Sequence, residues 1–156
     1  MSLNIVDSEP QVSRAEVSEF ERGAGYNLPH SYVSFLLQNN GGKPGRATFQ
    51  IAGYPLNPLG RVHYFFGLKA AFESYDLQKV SESFRVGIPS GLLPIACTAG
   101  SDYVCLYMRN RQSGVVYWDQ RHYWSTGEWR ESDLYEIAPS FEALITMMEK
   151  GPYGPA

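Results

Sequence analysis

Tyr26-Asn27-Leu28-Pro29-His30-Ser31-Tyr32-Val33-Ser34-Phe35-Leu36-Leu37-Gln38-Asn39-Asn40-Gly41-Gly42 marks both ends of one short helix. Proline suits the first helical turn because its missing N–H would be unsatisfied there anyway, so Pro29 is placed at the first helical position and the start near Leu28. Leu28, Tyr32, Phe35 and Leu36 recur at helical spacing and give one apolar face. Asn40-Gly41-Gly42 tolerates a left-handed backbone and stops the helix near Asn39. A helix of this kind belongs to a core, and the rest of the chain has to supply the layer it packs on.

Upstream, residues to about Gln11 are polar and are read as irregular. Ser13 followed by Glu16 forms a capping box, and Val12 with Val17 a hydrophobic staple. The helix they start runs to about Arg22, turns Val17 and Phe20 inward, and is broken by Gly23-Ala24-Gly25.

Downstream the period changes to two. Ala47-Thr48-Phe49-Gln50-Ile51 and Arg61 to Phe66 read as strands separated by a Gly/Pro/Asn loop, with Val62, Tyr64 and Phe66 on one face. Leu77, Val80 and Phe84 mark a short helix, about Ser74 to Phe84, crossing the sheet. Ile95-Ala96-Cys97, Tyr103 to Met108 and Val115 to Trp118 follow, separated by turns at Gly100-Ser101-Asp102 and Asn110 to Gly114. They read as an antiparallel meander. Ser140 caps a last helix with Phe141, Leu144, Ile145 and Met148 inward, ended by Gly151-Pro152. The expected class is α+β: two N-terminal helices, a mostly antiparallel sheet of about five or six strands with a short crossing helix, and a C-terminal helix.

With 156 residues, no repeat and no linker, the chain reads as a single domain, 1–156, with its core at about 13–149. A domain of this size buries roughly 68–70% of its unfolded surface and needs no covalent staple. Cys97 and Cys105 are too few for a disulfide framework and are expected reduced and buried. A net charge of −3 supplies no positive field for nucleic acid, so none is expected as a partner. No apolar run approaches the roughly 18 residues of a membrane span, and no basic-then-apolar leader pattern opens the chain. A soluble cytoplasmic protein without a membrane partner is expected.

The string Leu28-Pro29-x-x-Tyr32-x-x-Phe35-Leu36-x-x-Asn39-Asn40-Gly41-Gly42 resembles a signature of the SUKH superfamily. That group includes fungal cell-wall synthesis regulators of the Smi/Knr type and many bacterial immunity proteins that neutralise toxins delivered by neighbouring cells. Its later landmarks also have counterparts in order. Leu92-Leu93-Pro94-Ile95-Ala96 resembles the proline-led strand, and Gly100 to Leu106 the turn and next strand. Val115-Val116-Tyr117-Trp118-Asp119 resembles the following strand, and Ser140-Phe141-Glu142-Ala143-Leu144 the closing helix. The resemblance spans about Ser13 to Glu149. One departure is local: Gln120-Arg121-His122 follows Asp119, where many members place a histidine directly after the aspartate.

Sites for chemistry are sparse. His30, His63 and His122 form no i, i+4 pair and the cysteines no Cys-x-x-Cys, so no metal or cofactor is expected. No Gly-x-Ser-x-Gly elbow is present. Gly42-Lys43-Pro44-Gly45-Arg46 follows a helix and lacks the hydroxyl residue that a phosphate loop needs. Asp119 with Asp102 or Glu128 is a conceivable carboxylate pair, but a turn explains Asp102 and a strand end explains Asp119.

The unusual feature is aromatic: Tyr117, Trp118, Tyr123, Trp124 and Trp129 hold every tryptophan of the chain. Trp118, inside a strand, reads as core, whereas Trp124 and Trp129, flanking Ser125-Thr126-Gly127, read equally as core or as interface anchors. Acidic residues gather in the same region. The expected partner surface is therefore Asp119, Arg121, His122, Tyr123, Trp124, Glu128, Trp129, Glu131 and Asp133. The resemblance implies a non-enzymatic immunity protein, monomer or weak homodimer, that blocks the active site of a specific polymorphic or contact-dependent toxin domain. The acidic surface would suit a basic toxin such as a nuclease. The alternatives are a regulatory or scaffold module of the Smi/Knr type and a small-molecule-binding protein.

Overall fold

Six strands succeed one another across one antiparallel sheet in strict chain order: β1 (Thr48–Gln50), β2 (Leu59–Phe65), β3 (Leu92–Thr98), β4 (Tyr103–Arg109), β5 (Gln112–Trp118) and β6 (Leu134–Ala138). Among the described residues five α-helices accompany them: α1 (Arg14–Ala24), α2 (His30–Gln38), α3 (Leu77–Ser83), α4 (Arg121–Thr126) and α5 (Phe141–Lys150). The computed structural model describes residues 3–84, 88–109 and 112–151. Asn110, Arg111 and Pro152, assigned above to turns and a helix stop, lie outside the described residues. The architecture is the expected α+β arrangement, with β6 as the sixth strand.

The helix ends follow local chemistry closely. Ser13 Oγ accepts from Glu16 N at 3.1 Å while Glu16 Oε1 accepts from Ser13 N at 3.0 Å, completing the capping box. That helix runs two residues beyond Arg22 and stops at Gly25, whose φ of 79° is the left-handed cap. Pro29 lies one position earlier than expected: with ψ 143° it is the residue before the helix rather than its first. Asp76 caps α3 through Lys79 N at 3.0 Å, and Ser140 caps α5 through Ala143 N at 3.1 Å.

Both faces of the sheet are covered. Helices α2 and α5 meet one face through Phe35, Phe65 and Phe141, with ring centroids 5.0 Å (Phe35–Phe65) and 5.2 Å (Phe35–Phe141) apart. Phe84, just after α3, packs edge-on to Tyr103 at 5.0 Å and Trp118 at 5.5 Å on the other. Burial on both sides explains why β3 reads as a continuous apolar run rather than an alternation. Pro94 is accommodated inside that central strand because the register with β4 shifts between Pro94 and Ala96. A second shift between Val62 and Tyr64 interrupts the alternation of β2, so Phe65 is as buried as Tyr64 and Phe66. The turn before Val115 is narrower than expected. Ser113 and Gly114 pair with Met108 and Tyr107, the cross-strand bonds overriding a polar, glycine-bearing local sequence.

The exit of α2 locks several segments together. Asn40 is 2% exposed, and its amide donates to Pro10 O at 2.9 Å and Leu68 O at 2.8 Å while its oxygen accepts from Leu68 N at 2.7 Å. Gly41 follows at φ 74°, where a Cβ would stand 2.6 Å from Phe65 O, so only glycine lets the loop lie against the end of β2. Residues 3–11 form no helix or strand, as expected, yet they are tethered: Val6 and Lys43 exchange backbone bonds of 2.9 and 2.7 Å, and Glu9 N donates to Asn40 O at 3.0 Å.

Candidate protein-binding surface

The chain leaves β5 at Trp118 and immediately starts α4, a helix whose apolar spacing is too poor to announce it. Two carboxylates from outside its turns hold its first residues. Asp119 Oδ1 accepts from Arg121 N at 3.1 Å, and Asp102 Oδ1, from the β3–β4 turn, accepts from Gln120 N at 3.1 Å. They satisfy donors that Gln120, the residue before the helix, does not cap with its own side chain. Gly127, at φ 73°, ends α4.

Beneath that start lies a polar network. Tyr117 Oη donates to Asp102 Oδ2, and Tyr54 Oη, from the β1–β2 loop, donates to Asp119 Oδ2 at 3.1 Å. Arg121 forks onto Asp119 through Nε at 3.0 Å and Nη2 at 2.7 Å. The two carboxyls are pushed apart. The Arg121 hydrogen bonds hold Asp119 below the usual carboxylate range, whereas burial pushes Asp102 up. Burial and neighbouring Asp119 raise the Tyr54 phenol to about 12.

Above it, Trp118 is fully buried and organises an aromatic layer. Trp129 meets it edge-on at 5.3 Å and Tyr123 at 5.6 Å. Trp124 is different: it is 68% exposed, yet its Nε1 donates to Gln120 Oε1 at 2.8 Å and its ring stands edge-on to Tyr123 at 5.7 Å. Gln120 is itself 3% exposed, so a solvent-facing indole is bolted to a buried amide.

The nine residues expected at a partner surface thus share one region but not one role. Asp119 and Asp133 are buried and engaged by Arg121 and Arg130, the latter at 2.7 Å from Nη2 to Asp133 Oδ1. Tyr123 and Trp129 are half-buried against Trp118, and His122 is half-buried with Nε2 3.8 Å from Glu128 Oε2. Arg121, Trp124, Glu128 and Glu131 are exposed, and Glu131 Oε1 accepts from Tyr107 Oη at 3.1 Å. Residues 119–136 carry five carboxylates and two guanidinium groups. Both arginines engage buried aspartates, and Glu128, Glu131 and Glu136 are exposed.

Reading the sequence missed Gln120, Asp102, Tyr54 and Tyr117 as supports of this surface. Asp102 is more than a turn residue, because its carboxylate bridges β5 to the start of α4. Nothing local signals these roles; they exist only once β3, β4 and β5 pair. The cysteines are free, and burial pushes both thiols up, which suppresses the reactive thiolate. Among the described residues no three His, Cys, Asp or Glu side chains come together as a metal set, and no helix is long and apolar enough to cross a membrane.

The order of strands and helices, with the Leu28 to Gly42 helix and exit, defines the class to which the chain is assigned. The pattern of the SMI1 / KNR4 family (SUKH-1) matches residues 11–147, and the chain belongs to that family. It is similar to YokK, an SPbeta prophage-derived uncharacterized protein of Bacillus subtilis (strain 168). The two are 24% identical over 152 residues, covering 88% of this chain and 74% of YokK.

Proposed function

We propose that the protein is a non-enzymatic immunity protein, acting in the cytoplasm, that binds one specific toxin domain and covers its active site. The observation that supports this most is Trp124. A large, rigid aromatic side chain held in place at the surface is the kind of residue that anchors protein interfaces, because little rotamer freedom is lost on binding. Family membership supports the same reading. The exposed carboxylates that follow α4 in the chain, Glu128 and Glu131, suit a partner with a basic face, and a stable complex would bury roughly 800 Å² on each side.

Capture of partners from the source organism with tagged protein is the direct test. Recovery of one secreted protein through a C-terminal toxin-like fragment, lost with Trp124→Ala and weakened by Glu131→Lys, is the expected result. If both substitutions leave that binding unchanged, the surface is misplaced. Recovery of several housekeeping proteins instead would favour the regulatory scaffold role that the family's other branch represents.

A further inference from the structure

A second aromatic surface lies away from α4, where the loop after β2 meets the N-terminal segment. Its floor is Tyr64, 3% exposed, whose hydroxyl donates to Asp7 O at 3.1 Å and Glu9 Oε1 at 3.0 Å. Tyr75 stacks on Tyr64 with ring centroids 4.2 Å apart and an interplanar angle of 19°, and its hydroxyl lies 3.4 Å from His63 Nε2. The Tyr75 ring is therefore fixed both by its face and by its tip. Phe72 stands nearly perpendicular to it, at 83° and 6.4 Å, and is 67% exposed. Two rings at right angles make a corner, and most of the Phe72 ring faces solvent.

Carboxylates outnumber cations on the segments that form the corner, residues 5–9, 63–64 and 69–76. Asp7 and Glu73 are exposed, and Glu9 is half-buried, its Oε2 accepting from Ala71 N at 3.3 Å. Lys69, on the loop after β2, is engaged elsewhere, its ammonium paired with Glu16 on α1. Electron-rich ring faces beside carboxylates attract cations. A guanidinium suits them best, being planar, weakly hydrated, and able to stack on a ring while forking to a carboxylate.

We infer that the corner formed by Phe72, Tyr75 and His63, with Asp7 and Glu9 beside it, is a docking site for an arginine side chain of a protein partner. The surface is independent of the one at Trp124.

The probe is N-acetyl-arginine N-methylamide, titrated at pH 7.5 into the ¹⁵N-labelled full chain and followed by amide chemical shifts. Saturable shifts at residues 7–9, 63–64 and 71–75 are expected, with the matching citrulline amide at least tenfold weaker. Phe72→Ala, at a position exposed enough to leave folding intact, should weaken binding by at least tenfold while amide shifts elsewhere stay in place. Free arginine, whose α-carboxylate would face Asp7 and Glu9, should bind less well than the blocked residue. Equal binding of citrulline, no effect of Phe72→Ala, or shifts centred on Trp124 would each overturn the site. Tighter binding of free arginine would overturn the protein source of the ligand.

Discussion

Asn40 and Gln120 are two buried side-chain amides, 2% and 3% exposed, each at the junction of a short helix with a turn, and the molecule uses them in opposite ways. Asn40 spends its donor and acceptor groups on backbone, joining Pro10, Leu68 and the exit of α2. Gln120 spends its oxygen on the indole of an exposed tryptophan, and its Nε2 has no hydrogen-bond partner among the described residues. The same chemical group serves as a rivet in one place and as a mount in the other. A buried amide that binds backbone builds the fold; one that binds a surface side chain presents it.

Asn40→Ala should break the rivet with the largest loss of stability of any single change considered. It leaves Pro10 O, Leu68 O and Leu68 N without the partners that satisfied them. Each unsatisfied buried backbone group costs about 1–3 kcal/mol, so with some access of water a total of about 3–4 kcal/mol is expected from urea unfolding. A loss below about 1 kcal/mol would show that the N-terminal segment and the loop after β2 are not held through this amide, and the contrast with Gln120 would fail.

Legibility in the sequence divides along the same line. The rivet region was readable because its signals are local: Pro29 before the helix, apolar spacing at Tyr32, Phe35 and Leu36, and glycines after it. The meander was readable from turn residues and period two, except where burial on both faces or a bulge broke the alternation at Phe65 and Pro94. The mount was only half readable. Tryptophan density pointed to residues 118–129, but α4 has no apolar stripe, and its start is held by Asp102, which arrives from another turn. Sequence spacing could not separate buried Asp119 and Asp133 from exposed Glu128 and Glu131, since that distinction rests on which arginine folds back onto which aspartate.

The pair Asp102 and Asp119 sharpens the comparison through pH. Asp119 is held below the usual carboxylate range, so its contribution to stability is present above its unfolded pKa and is lost as pH falls through its lower folded value. Asp102 is pushed up by burial, so its contribution is complete below its unfolded pKa and is lost as pH rises through its folded value. Urea midpoints collected from pH 3 to 7 should therefore separate them. Asp119→Asn should flatten the acid limb, and Asp102→Asn should flatten the decline on the other side. The same change of slope in both variants would mean that the start of α4 titrates as one unit.

A smaller effect is expected for Gln120→Leu. The substitution keeps the buried volume and removes an amide whose indole partner can turn to water, so stability should fall by about 1 kcal/mol or less. What should change is the mount: the Trp124 Nε1–H, donated at 2.8 Å in the native protein, should exchange faster with solvent and shift in the ¹⁵N indole spectrum. The Trp118 signal, from a fully buried ring, should stay in place. An unmoved Trp124 signal would mean that the edge-on contact with Tyr123 alone orients the indole.

Trp124→Ala should disturb the fold least of all. Deleting a large aromatic side chain from a core costs about 3–5 kcal/mol, whereas a side chain 68% exposed leaves most of its area in water in both states, so a change within about 0.5 kcal/mol is expected. Under the proposed function, in which the indole anchors a toxin interface, the same substitution should weaken that binding by about 2 kcal/mol or more. That ratio is the decisive quantity. A loss of stability as large as the loss of binding would make Trp124 part of the aromatic layer around Trp118. A loss confined to binding would establish that the chain keeps one tryptophan outside its core and spends a buried glutamine on holding it there.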